Sequence, residues 1–132
     1  MKPDIDTHIL TTVKSLLLHH IGAANRISYD ELTEYVYGKP TENNKRKLRA
    51  VIAAINAEPD NKIVICSDRE NGGVFMNGSS EDDIARHIAF YHQERAQALT
   101  TLEKLRAMER KLGHLYGPEL LHPIAPGQGR LL

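Results

Sequence analysis

The sequence has no tryptophan, two phenylalanines and a single cysteine. One cysteine, Cys66, excludes an internal disulfide and any cysteine-rich zinc site, and it fits a reducing cytoplasm. No apolar run approaches the roughly 18 residues of a membrane span, so no membrane partner is expected. The opening Met1-Lys-Pro-Asp-Ile-Asp6 is acidic and polar, which predicts no secretory signal peptide. Charge of one sign is also missing: 17 Lys and Arg balance 17 Asp and Glu. A polybasic membrane binder or a nucleic-acid coat would carry a strong positive excess. Any contact with nucleic acid therefore has to come from a local patch.

What is present is one domain's worth of ordinary globular sequence. The chain has 132 residues, 41% apolar and 26% charged, enough for a core without staples. Three zones are expected: a compact domain over 1–78, a long helix over 79–116, and a flexible tail over 117–132 rich in proline and glycine. Ile5, Ile9, Leu10, Val13, Leu16, Leu17 and Ile21 recur at helical spacing and predict a first helix over 5–21, stopped by Gly22. Ser28-Tyr-Asp-Glu31 is a capping box that starts a second helix, from Tyr29 to Tyr37. A third runs from about Thr41 to Ala57 with Leu48, Val51, Ile52 and Ile55 on one stripe. Lys62-Ile-Val-Ile-Cys66 reads as a strand, 67–73 as a loop with two glycines, and Val74-Phe-Met76 as a returning strand. Ile63, Ile65 and Phe75 are the residues expected to lean on the three helices, since a hairpin alone is marginal.

Ser80 predicts the cap of the long helix, with Glu81, Asp82 and Asp83 in the first turn, where the helix dipole favours acids. Gly113 and Gly117-Pro118 are expected to close it. Ile84, Ile88, Tyr91, Arg95, Ala98, Leu102, Leu105, Glu109 and Leu112 follow a heptad seam. A helix of that length exceeds what a domain of this size can cover, so the seam from Ile88 to Leu112 is expected to make a homodimer, with folding back on the domain and docking another protein as the other two readings. Arg95 and Glu109 interrupt it symmetrically about Leu102, which in an antiparallel pair would set arginine against glutamate.

Three helices, a strand, a glycine-containing loop and a strand make the order of a winged helix-turn-helix. The expected fold class is mostly α (α+β): such a domain with a two-stranded wing, followed by a long C-terminal helix. Projecting the third helix with its apolar stripe inward leaves Asn43, Arg46, Ala50 and Ala53 outward, flanked by Lys47 and Arg49, with Lys45 nearer the core edge. Asn and Arg suit bidentate contacts to base edges, and the cations lie in the first half of the helix, the end such proteins insert in the major groove. Lys and Arg there also oppose the helix dipole. The candidate DNA contacts are Asn43, Lys45, Arg46, Lys47 and Arg49, with Arg69 in the wing. Asp68 and Glu70, beside Arg69, would repel a phosphate backbone. Four or five phosphate contacts predict that log K falls with log salt at a slope of about −4.

Residues 63–76, Ile-Val-Ile-Cys-Ser-Asp-Arg-Glu-Asn-Gly-Gly-Val-Phe-Met, resemble the hairpin of small winged-helix proteins encoded by phages and prophages. There a phrase like Ile-Cys-Ser, a short polar loop and Gly-aromatic build the wing. Lys47-Leu-Arg-Ala-Val-Ile52 is similar to their third helix, and the acidic start and Arg-rich length of 80–112 to their last. The resemblance implies binding of double-stranded DNA in phage regulation or replication, with Asn43, Arg46, Lys47 and Arg49 on the DNA and Arg69 as the wing contact. Val74 between the glycines and Phe75, and the zero net charge, depart from that pattern. The alternative is a winged-helix docking module that inhibits or recruits a host protein, using the basic helix or the long helix. Seven histidines show no His-x-x-x-His spacing, and no glycine-rich loop leads from a strand into a helix. No metal, cofactor or catalytic residue is expected, and the chain reads as a non-enzyme.

Overall fold

A computed structural model describes residues 6–68 and 72–121. The proposed wing contact Arg69, its neighbour Glu70 and the tail from residue 122 lie outside the described residues. The chain is mostly helical with one small antiparallel sheet. Its elements are α1 (Thr7–Leu17), α2 (Tyr29–Tyr37), α3 (Glu42–Ala57), β1 (Ile65–Ser67), β2 (Val74–Met76) and α4 (Glu81–Tyr116), with 3-10 turns at Ala23–Asn25 and Pro118–Leu121. Two compact units divide it, the first ending at Tyr91 and the second starting at His92.

In the first unit, each helix starts on a side chain that accepts an otherwise orphan amide: Asp6 from His8, Ser28 from Glu31 and Thr41 from Asn44. The apolar stripes of the three helices converge. Val13, Leu17, Leu32, Leu48, Val51, Ile52 and Ile55 are buried with Ile27, Ile65, Val74 and Met76 in one core. The hairpin pairs Ile65 with Met76, Cys66 with Phe75 and Ser67 with Val74. Side chains alternate across a strand, so Val74, Ile65 and Met76 face the helical core while Cys66 and Phe75 face the other way. Phe75 is therefore not the residue that leans on the three helices, as expected; Val74 and Met76 are. Phe75 forms a second cluster with Ala23 and Cys66, covered by Phe90 of α4. Full burial of such a side chain stabilises by about 1.5–3 kcal/mol.

That second cluster extends the compact unit past residue 78, where the sequence placed its boundary, to Tyr91. Ser80 caps α4 by accepting from the Asp83 amide at 3.0 Å. Asp83 in turn accepts from the Ala23 amide at 2.9 Å. The His87 ring meets Phe75 edge-on with centroids 5.4 Å apart, and its nitrogens lie 2.9 and 3.2 Å from the carbonyls of Asp83 and Val64.

The first helix ends at Leu17, not Ile21. The backbone on either side of Ile21 is drawn into pairing with Met76, where Gly22 donates to the Met76 carbonyl and Met76 donates to that of His20. Ile27 pairs antiparallel with Val74 through two bonds of 3.0 and 2.8 Å. Gly73 sits at φ +81°, where a Cβ would stand 2.8 Å from the Ile27 carbonyl oxygen, so this pairing requires glycine there. The first strand is shorter than 62–66 at its start. Ile63 and Val64 donate to the side chains of Asn61 and Asn77, both at 3.0 Å, instead of to a strand.

In the second unit α4 runs through Gly113 to Tyr116, so Gly113 does not close it. At Gly117, with φ +97°, the chain turns back. Pro118 and Leu121 then lie over Gly113, where a Cβ would stand 3.4 Å from Leu121 Cδ1.

Candidate nucleic-acid interface

The turn between α2 and α3 is built by local chemistry. Gly38, at φ +89°, ends α2 by donating to the Glu34 carbonyl at 2.8 Å. Thr41 caps α3, and the Asn44 amide side chain donates to the Lys39 carbonyl at 3.0 Å, tying the turn to the first turn of α3. With Leu48, Val51, Ile52 and Ile55 buried, α3 exposes Asn43, Arg46, Lys47, Arg49 and Ala53. Ala50 is half-buried.

Two tyrosines of α2 fix the flanking cations. Lys47 Nζ lies 5.9 Å from the centre of the Tyr37 ring, and Arg49 Cζ lies 5.9 Å from that of Tyr29. Burial pushes the Tyr37 hydroxyl above its ordinary pKa, so it is neutral beneath the ammonium. Sequence reasoning treated both tyrosines only as helix boundaries. Their spacing of eight residues places them at the two ends of α2, and that is the signal that was available.

Lys45 does not join this face. Its ammonium lies 2.7 Å from Asp30 and 3.6 Å from Glu42, with only about a fifth of the side chain exposed. The hydrogen bond to Asp30, more than the attraction to either acid, holds its pKa above the ordinary lysine value and outweighs burial. The structure thus brings together Asn43, Arg46, Lys47 and Arg49 and turns Lys45 aside. Among the described residues, Arg46, Lys47 and Arg49 make no ion pair.

The base of the hairpin loop corrects a second expectation. Asp68 is not an exposed acid facing outward: its side chain is 11% exposed. It accepts from Arg26 at 2.7 Å and from Arg86 at 3.0 Å. Arg26 also donates to the carbonyls of Ala23 and Gly72, and its guanidinium lies 5.6 Å from the Phe75 ring centre. Arg86 also holds Asp82 at 2.7 Å, so two arginines meet two carboxylates and Asp68 is neutralised where the sequence suggested repulsion. Neither arginine was singled out from the sequence, because each lies far along the chain from Asp68.

Among the described residues no group of three or more His, Cys, Asp or Glu side chains is gathered to hold a metal. No helix among them is long and apolar enough to cross a membrane. No family model, curated protein or solved structure matches the chain.

Proposed function

We propose that this chain is a sequence-specific double-stranded DNA-binding protein of the winged helix-turn-helix kind, a cytoplasmic regulator of the phage type and not an enzyme. In this reading α2 and α3 form the helix-turn-helix, α3 enters the major groove, and the β1–β2 loop flanks it as the wing. The observation that carries it is the exposed face of α3. Asn43, Arg46, Lys47 and Arg49 stand on it without carboxylate partners among the described residues, and small Ala53 extends it. Asn43 and Arg46 can reach base edges, and the three cations Arg46, Lys47 and Arg49 neutralise phosphate charge. The pairing of Ile27 with Val74 adds support, because it fixes the hairpin beside the helices.

Selection from random duplexes at low and moderate salt tests this, with wild type beside Arg46→Ala/Arg49→Ala. One enriched motif that the double variant loses is the expected result. Absence of a motif, or weak binding that ignores the substitutions, overturns it. The second reading, a module that docks a host protein, is favoured by the exposed apolar side chains on α4, and that outcome would promote it.

A further inference from the structure

The distal part of α4 leaves a row of apolar side chains exposed among the described residues. In the second unit, Leu102, Leu105, Met108, Leu112 and Tyr116 are all exposed, by 37–66%. The turn Pro118–Leu121 lies over Gly113, and Pro118 and Leu121 line one cavity with Arg106, Glu109, Arg110 and His114. Propensity alone leaves isolated helices marginal in water, and helices in proteins are held mainly by packing of an apolar face. Within the stripe stand two charges, Arg95 and Glu109. Both are exposed and, among the described residues, neither has an ion-pair partner in its own chain.

We infer that this face binds the same face of a second copy of the chain, antiparallel, with Arg95 of each copy paired to Glu109 of the other. The seam is self-complementary. Arg95 and Glu109 lie two heptads apart, at equal distances on either side of Leu102. A parallel pair sets arginine against arginine and glutamate against glutamate in its core, which is repulsive. An antiparallel pair about a two-fold axis converts both clashes into attractions, and the same contact occurs twice. In an antiparallel coil, positions a of one helix share layers with positions d of the other. Setting Leu102 level with Leu105 of the partner subunit puts Ala98 level with Glu109 of the partner subunit. The small alanine leaves room for that carboxylate and for Arg95 one turn away. A different protein would have to supply an acid and a base at this same separation; the chain's own seam already carries them. The inference does not depend on α3 reading DNA.

Sedimentation of the full-length chain across a concentration series is the test, with helix content followed by circular dichroism. Wild type is expected to dimerise. Arg95→Glu sets like charges together and should weaken dimerisation about tenfold or more, and Arg95→Glu/Glu109→Arg should recover most of that loss. A wild type that stays monomeric at the highest soluble concentration overturns the proposal. So does a dimer indifferent to Arg95→Glu, the behaviour of a parallel pair. Failure of the double exchange to recover association, with helix content intact, overturns the Arg95–Glu109 pairing.

Discussion

The Asn56 side chain bonds the backbone of Ile65 twice. Its Oδ1 accepts from the Ile65 amide at 2.7 Å and its Nδ2 donates to the Ile65 carbonyl at 3.1 Å. A side-chain amide thus takes the place of a neighbouring strand along β1. It fixes β1 of the hairpin to α3, the helix that carries the proposed DNA-binding face.

Asn56→Ala leaves both polar groups of a fully buried residue without these partners, and each such group costs about 1–3 kcal/mol. A loss of about 2–4 kcal/mol in urea unfolding is expected. Asn56→Asp should also destabilise, because a carboxylate accepts from the amide but faces the carbonyl without a proton to give. A change under a few tenths of a kcal/mol would mean that water replaces the asparagine freely.

Asp83 gives the fold a dependence on acid. Its carboxyl is held below its ordinary value of 3.8, chiefly by the Ala23 amide and next by the Ser80 hydroxyl. A depressed carboxyl stabilises the folded state fully above its unfolded pKa, and the contribution is lost as pH falls through the folded value. Stability should therefore fall on acidification below the ordinary carboxyl range, and Asp83→Asn should flatten that limb. Gly78→Ala should act similarly: a Cβ there would collide with Asp83 Oδ2, and Gly22 Cα lies 3.3 Å away on the other side. Unfolding midpoints measured from neutral to strongly acid pH decide this.

Helices were legible where pattern and punctuation agreed. Ser28 and Gly38 bracket α2, and Leu48, Val51, Ile52 and Ile55 repeat at the helical period along α3. Where periodicity continued past the real end, it misled. Ile21 extends the stripe of α1, but it is 42% exposed and the segment beyond Leu17 turns to meet β2. The polar contacts that orient the parts left no periodic trace. Asn56, Asn77, Asp83 and Arg26 each act on backbone or charge distant in sequence, so only the fold brings them to their partners. For the candidate site, composition named the cations of α3. It did not show that Asp30 engages Lys45 or that Arg26 and Arg86 neutralise Asp68.

Cys66 reports on the integrity of the hairpin. Burial, more than the charge of Asp68, pushes its thiol up to about 11, against the opposing pull of Arg86 and Arg26. At neutral pH roughly one thiol in ten thousand is then ionised, and only the thiolate reacts quickly. Alkylation of the native chain should be slow and should speed up when denaturant opens β1. Asp68→Asn removes one of the groups that raise the thiol and leaves Arg26 without its carboxylate, with Arg86 still held by Asp82, so the native labelling rate should rise. A rate that follows global stability alone, unaltered at matched stability, would show that burial acts without the charges.

Asp30 limits the proposed DNA-binding face by holding Lys45. With Arg46, Lys47 and Arg49 as the phosphate-neutralising cations, the slope of log K against log salt should be about −3, shallower than the slope of about −4 expected from four or five contacts. Asp30→Asn removes the closer of the two acids from the Lys45 ammonium, leaving Glu42 at 3.6 Å on a largely exposed side chain. Lys45 lies on the edge of the same helix, one residue from Arg46, with a stem long enough to swing outward. The substitution should therefore tighten binding at low salt and steepen the slope by about one. Its effect on folding should be small, because Asp30 is 64% exposed and exposed ion pairs are worth little. Lys45→Met should leave the wild-type slope unchanged and cancel the gain in Asp30→Asn, while Arg46→Ala should flatten the slope in either background. If Lys45→Met alone flattens the slope as much as Arg46→Ala does, DNA already takes Lys45 from Asp30, and the ion pair belongs to the free protein only.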